Sequence, residues 1–295
     1  MIRRTFLSSC AAAATGAVLL KNTAAHAALP TDKPFAKIKL NMSAPLDWFP
    51  GEQPEQRIEA AAAWGLRAYE WLGPEGDFKA MRAMADKHDM ELSCIVGAGA
   101  IAAGGMVNPD DHDKIVEQFK VRVEMAKALN CKRLIALSGN TRDDISHAEQ
   151  TKHVITCLKR LAPIAEKNGR IIVLEALNTL VNHAGYFVAR TDHSMEIVEG
   201  VDSPNVKMLF DIYHQQITEG NVIRNFSKNV KNIGHFHVAD NPGRKEPGTG
   251  ELNYAMIFKA IEKTKFKGFV ALECGHSTKD YEKTLRATLD LLNQG

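Results

Sequence analysis

A single-domain (β/α)8 barrel is the fold class this α/β sequence predicts, and three observations predict it. Eight short β-rich runs alternate with amphipathic helical stretches along the chain. The units together fit the roughly 250 residues that such a barrel takes. No linker rich in Pro, Gly or Ser divides them, which argues for one domain over residues 28–295. A doubly wound open sheet is the alternative, but it calls for Gly-x-Gly-x-x-Gly at the first strand-helix turn, and none stands there.

Taken in order, strands are expected at 37–43, 68–72, 92–97, 133–138, 171–177, 206–212, 233–239 and 269–273, each rich in β-branched, aromatic or other apolar residues. Helical patterns follow at 54–64, 78–88, 111–129, 148–167, 194–199, 222–229, 254–263 and 281–292. Asp77 before Phe78 and Asp192 ahead of Ser194 fit N-caps, and Gly65, Gly169 and Gly268 fit the turns from helix to strand. The glycine-rich stretch from Gly97 to Gly105 leads toward Pro109, not directly into a helix, and reads as a flexible active-site loop.

Residues 1–27 are set aside as a twin-arginine signal peptide, cleaved on export to the periplasm. Arg3-Arg4 precede an apolar stretch, and Thr23-Ala-Ala-His-Ala27 supplies a small-residue cleavage pattern. The apolar stretch is too short for a retained membrane span. Leu7-Ser-Ser-Cys10 is no lipidation box, because the hydrophobic residues follow the cysteine. Removing residues 1–27 takes away Arg3, Arg4 and Lys21 and no acid, moving the formal charge from +2 to −1. A nearly neutral chain without basic runs lacks the footprint of a nucleic-acid binder, so small molecules are the expected partners. Cys94, Cys131, Cys157 and Cys274 form no Cys-x-x-Cys pair and are expected as buried thiols.

Chemistry in such a barrel gathers at the carboxyl ends of the strands, so the polar residues there matter most. With a two-residue pleat, Ile171, Val173 and Glu175 share a face, as do Leu209 and Asp211, His235 and His237, and Phe269, Ala271 and Glu273. Glu175, Asp211, His237 and Glu273 thus fall one per consecutive strand near a common rim. Burying three carboxylates together is prohibitive without a cation or a proton, so the set fits a divalent metal. His214 and His235 are weaker candidates, and His235 fits a hydrogen-bonded core histidine equally well. Trp48, Phe49 and Trp71 could wall a sugar-sized pocket or simply pack at the rim. Glu70 and Trp71 alternate, so one of them faces the barrel.

The segments Leu174-Glu175-Ala, Phe210-Asp211-Ile-Tyr-His214, Gly234-His-Phe-His237, Asn241-Pro-Gly-Arg244-Lys-Glu246-Pro-Gly, Gly250-Glu-Leu-Asn-Tyr254 and Leu272-Glu273 resemble those of the hydroxypyruvate isomerase family, among the xylose-isomerase-like TIM barrels. The likeness is specific mainly from Glu175 onward. It implies Glu175 and Glu273 as the catalytic acid/base pair and Asp211 and His237 as fellow metal ligands. His214 and Arg244 would contact a small sugar or keto-acid substrate. Mn²⁺ or Mg²⁺ is the implied cation, with Co²⁺ or Zn²⁺ as alternatives. Hydroxypyruvate isomerases often carry glutamine where this chain has His237, whereas the related ketose 3-epimerases carry histidine there.

The implied reaction is isomerisation by proton transfer through an enediolate, with epimerisation as the alternative. A non-catalytic sugar-binding protein would tolerate loss of Glu175 or Glu273, so their joint presence argues for an enzyme. The zinc endonucleases of the same superfamily call for more histidine ligands and a basic face. Homo-oligomerisation is left open.

Overall fold

The computed structural model describes residues 29–102 and 105–294; the expected signal peptide lies outside the described residues. Nine parallel strands form one sheet: β1 Asn41–Pro45, β2 Ala68–Glu70, β3 Glu91–Leu92, β4 Ile95–Ala100, β5 Arg133–Ser138, β6 Ile171–Glu175, β7 Val206–Asp211, β8 Ile233–Val238 and β9 Phe269–Leu272. Their spatial order is β3-β2-β1-β9-β8-β7-β6-β5-β4. β3 and β4 are two halves of the third stave, interrupted at Ser93 and Cys94, so the two ends of this order meet. The backbone N–H groups of Ser93 and Val96 donate to Tyr69 and Leu72 carbonyls at 2.9 Å each, which carries the β2 seam past the break. The expected eight-stave barrel is therefore what forms.

Helices α1 Pro54–Ala63, α2 Phe78–Lys87, α3 His112–Ala128, α4 His147–Lys167 and α5 Thr191–Val201 return the chain between staves. α6 Ile212–Thr218, α7 Val222–Asn229, α8 Tyr254–Lys263 and α9 Tyr281–Gln294 complete the outer ring among the described residues. Asp77 caps α2 as expected, its Oδ1 accepting from the N–H groups of Lys79 and Ala80. Asp192 does not cap α5. That helix starts earlier, at Thr191, and Asp192 Oδ1 accepts from the neighbouring His193 N–H at 2.9 Å.

Three other expectations change. The first strand begins at Asn41, not 37, because Pro34 starts a short 3-10 turn whose Phe35 N–H is tied to the Trp64 carbonyl at 2.9 Å. Ile212, expected to end the seventh strand, instead opens α6, because Asp211 Oδ1 accepts from the His214 N–H at 3.1 Å and turns the chain into a helix. Gly97 to Ala100 belongs to β4, not to a loop. Gly99 sits at φ +79°, and a Cβ there would lie 1.8 Å from the Leu137 carbonyl oxygen, so the glycine allows β4 to approach β5.

The core lies inside the barrel and between barrel and helices, with Trp64, Tyr69, Phe119, Phe210, Phe236 and Phe258 among its buried side chains. Cys94, Cys131 and Cys157 are buried free thiols as expected, whereas Cys274 is half-buried and also unpaired. No helix among the described residues is long and apolar enough to cross a membrane.

Candidate metal centre

Glu175 closes β6, Asp211 closes β7, His237 is the second-last residue of β8, and Glu273 follows β9. Parallel pairing sets Asp211 opposite His237 and His237 opposite Ala271, so the four polar ends stand on one rim. One donor atom from each lies within 4.8 Å of the other three. This is the quartet expected from the pleat.

His237 is buried, and its two ring nitrogens face different partners. Nδ1 lies 3.4 Å from Glu175 Oε1 and 3.3 Å from Glu273 Oε2, close enough for ion pairing yet without a completed hydrogen bond. Nε2 lies 3.0 Å from Glu70 Oε1, again off good hydrogen-bond alignment. A carboxylate behind one ring nitrogen and an orphaned second nitrogen among carboxylates is the arrangement of a histidine ligand with an orienting acid. Three hard oxygens plus one imidazole nitrogen fit a divalent cation such as Mg²⁺, Mn²⁺ or Zn²⁺.

Glu70 is the residue that reading the chain did not assign. It points into the barrel, 4% exposed, where its Oε2 accepts from His235 Nε2 at 2.9 Å and from the Ser93 hydroxyl at 2.7 Å. Ser93 in turn accepts from the Ser43 hydroxyl at 3.0 Å. His235 is therefore support for Glu70, and Trp71 is left to pack partly buried against the core. A carboxylate in an otherwise apolar strand was the available signal, since buried charge needs a partner.

Electrostatics separates the carboxylates. Burial opposes ionisation of Glu70, but His237 and His235 outweigh it and hold the group down to about 2. Burial raises Glu175 despite His237 beside it, and raises Asp211 to about 6 with the charge of Glu273 adding to the effect. Burial also opposes ionisation of Glu273, yet His237 and then Arg244 keep it well below the usual range. Burial alone would favour neutral His237, but Glu70, Glu273 and Glu175 hold a proton on it well above the ordinary histidine range. A proton and a divalent cation are thus alternative ways to balance one negative site.

The two substrate candidates differ. His214 is fully buried, its Nδ1 accepting from the backbone and side-chain amides of Asn178 at 3.1 and 2.6 Å. Its Nε2 must then carry the proton; it lies 3.7 Å from Asp211 Oδ2 with no hydrogen-bond partner. Burial and then Arg244 lower His214 to about 3, so it is a neutral donor. Arg244 is placed against the quartet itself, with Nη2 2.6 Å from Glu273 Oε2 and 3.9 Å from Asp211 Oδ2, and with its guanidinium 5.2 Å over the Tyr213 ring.

The loop that delivers Arg244 is fastened by Asp240. Its carboxylate accepts from the N–H groups of Asn241, Gly248 and Leu252 at 2.9, 2.8 and 3.2 Å. Glu246 accepts from both the backbone and hydroxyl of Ser277, which joins this loop to the one after β9. The Tyr254 hydroxyl donates to the Ala239 carbonyl at 2.6 Å. Trp48 and Phe49 pack against rings of the neighbouring segment, the ring centroids of Trp48 and His276 lying 4.3 Å apart and those of Phe49 and Tyr281 5.5 Å apart.

A family model described as xylose isomerase-like TIM barrel matches residues 58–294. The hydroxypyruvate isomerase of Escherichia coli (strain K12) is 30% identical over 74% of this chain and 86% of its own length. The 2-oxo-tetronate isomerase of Cupriavidus necator is 31% identical over 74% of this chain and 85% of its own. Among solved structures, one described as AP endonuclease, family 2, from Brucella melitensis superposes with a TM-score of 0.71 at 25% identity, covering 84% of this chain and 98% of that one.

Proposed function

Since the chain belongs to the xylose isomerase-like TIM barrel family, we propose that it is a metal-dependent isomerase that moves a carbonyl between adjacent carbons of a small keto acid or ketose. The convergence of Glu175, Asp211, His237 and Glu273 within 4.8 Å carries the proposal. Relatives named for hydroxypyruvate and 2-oxo-tetronate isomerisation support the substrate class.

Glu175, Asp211, Glu273 and His237 Nδ1 would hold the cation, and Mn²⁺ or Mg²⁺ suits a donor set dominated by carboxylate oxygen. When bound, the metal supplies a Lewis acid for adjacent substrate oxygens and stabilises enediolate charge. One of Glu175 and Glu273 abstracts the carbon-bound proton, and a carboxyl returns it to the neighbouring carbon. Their opposed electrostatic settings suit two carboxyls with different proton affinities. His214 Nε2–H is a neutral donor for a substrate oxygen. Arg244 turns from Glu273 to pair with a substrate carboxylate or hydroxyl.

Return of the proton to the same carbon from the opposite face would make the enzyme an epimerase. His237 favours keeping this reading, since the ketose 3-epimerases carry histidine at that position. The single histidine of the quartet does not favour a histidine-rich endonuclease site.

The test is incubation of the purified mature protein with Mn²⁺ or Mg²⁺ and a panel of ketoses and keto acids in deuterated water, with NMR following deuterium at the carbon next to the carbonyl. Exchange is expected on at least one compound and is abolished in Glu175→Gln and Glu273→Gln. Product identity separates isomer from epimer, and no exchange on any compound removes the proposal. Export by the twin-arginine route to the periplasm is likewise proposed, supported by Arg3-Arg4 and the small-residue pattern ending at Ala27. Fractionation and N-terminal sequencing check it; a cytoplasmic protein retaining Arg3 would contradict it.

A further inference from the structure

The end of the barrel opposite the metal centre concentrates unpaired positive charge. A cleft of about 360 Å³ there is lined by Arg133, Lys207, Lys231, Lys265 and Lys267, with no Asp or Glu in its walls. None of these five side chains joins an ion pair among the described residues, whereas nearby Lys132 pairs with Glu91 and Lys39 with Glu262. A neighbouring cleft shares Arg133 and Lys267 but also contains Asp89 and Glu91, of which Glu91 pairs with Lys132 and neither reaches Arg133 or Lys267.

Exposed lysines alone would describe an ordinary solvated face. Arg133 does not fit that description. It is 8% exposed, its Nε donates to the Gly234 carbonyl at 2.8 Å, and its guanidinium sits 4.8 Å over the Phe269 ring. Its Nη1 is buried with no partner, and no carboxylate among the described residues comes within 4.0 Å of the guanidinium nitrogens, Glu91 and Glu70 acting on it only from farther away. Lys207 Nζ donates to the Lys231 carbonyl at 2.8 Å, which satisfies one proton but leaves its charge uncompensated. A buried cation with no carboxylate in ion-pair contact is costly, and a concave wall of one sign focuses the field on whatever enters.

We infer that this cleft binds a small multivalent oxyanion of the phosphoryl or sulfate type, with Arg133 at its floor and Lys207, Lys231, Lys265 and Lys267 around it. Arg133, Ile171 and Ile233 open their strands, while the metal quartet stands at the strand ends. Strands of this length separate the two sites by about 15–20 Å, so the anion does not touch substrate at the metal. The site is a second one, for an effector or for a phosphorylated group on a larger molecule.

Calorimetric titration of the Mg²⁺-loaded full chain with inorganic sulfate, and separately with inorganic phosphate, tests this. One-site saturable binding is expected for both, unchanged by chloride at matched ionic strength beyond general screening. Loss of two charge-assisted contacts in Lys231→Gln/Lys267→Gln weakens binding at least about tenfold while deuterium exchange at the metal centre stays at the wild-type rate. Arg133→Met is expected to bind no sulfate; should it fail to fold, the double lysine variant decides alone. Absence of saturable binding, or equal affinity in the double variant, overturns the site. Binding to phosphatidylglycerol vesicles with none to the free anions would also overturn it, because the cleft would then be part of a membrane-facing surface.

Discussion

His237 meets three carboxylates, Glu70 through Nε2 and Glu175 and Glu273 through Nδ1, so its orientation decides whether the quartet can close on a cation. Glu70 fixes that orientation from the second stave. Glu70→Gln keeps the shape but loses the charge behind the ring, and metal affinity should fall about 10–100-fold, measured by competition with a fluorescent chelator. An unchanged affinity would show that His237 is oriented by packing alone. Asp211, raised by burial to about 6, gives the pH dependence its sign. Below that pH it is protonated and must release the proton before ligating, so affinity falls as pH drops from 7 toward 5; His237, holding its proton still more tightly, adds to the same trend. The same competition assay across that range checks it, and a flat profile would contradict the assignment of Asp211.

Asp240 holds the β8–α8 connection as a single unit. Its carboxylate gathers three backbone N–H groups from both arms of the loop, and Arg244 rides on the segment between them. Asp240→Ala removes the charged acceptor of three part-buried bonds, each worth at most about 1.5–3 kcal/mol. The expected result is a lower urea midpoint together with a raised KM, because Arg244 loses its fixed approach; a raised urea midpoint or wild-type KM would sink the idea. At the β4–β5 seam, Gly99→Ala forces a Cβ against the Leu137 carbonyl at a left-handed backbone position. That should cost about 3–5 kcal/mol, read as a shift in midpoint with an unchanged denaturant slope.

For the molecule as a whole, the quartet opposes folding until its charge is balanced, because three rim carboxylates are brought together largely out of water. Saturation with Mn²⁺ or Mg²⁺ at 100 times the dissociation constant should stabilise the fold by about 2.7 kcal/mol. For a chain of this size that raises Tm by about 5–10 °C. At the metal concentration that gives this ratio at pH 7.5, the rise should shrink at pH 5.5, and a larger rise at the lower pH would contradict the charge argument. The eight-stave barrel and the quartet of Glu175, Asp211, His237 and Glu273 were legible because strand periodicity and parallel topology are local rules: if each strand ends in a polar residue on its inward face, closure brings those ends together. Glu70 was not legible as a partner of His237, since 165 residues separate it from His235, which shares it, and only closure of β2 over β8 across the barrel interior joins them. Nor could spacing reveal that Asp211 caps α6, that Arg244 rests on Glu273, or that Arg133 buries an Nη1 with no hydrogen-bond partner. The order of side chains along the chain determined which chemistry stands at each strand end; only the packed barrel decided which charges face one another, because a charge finds its partners through space, not along the sequence.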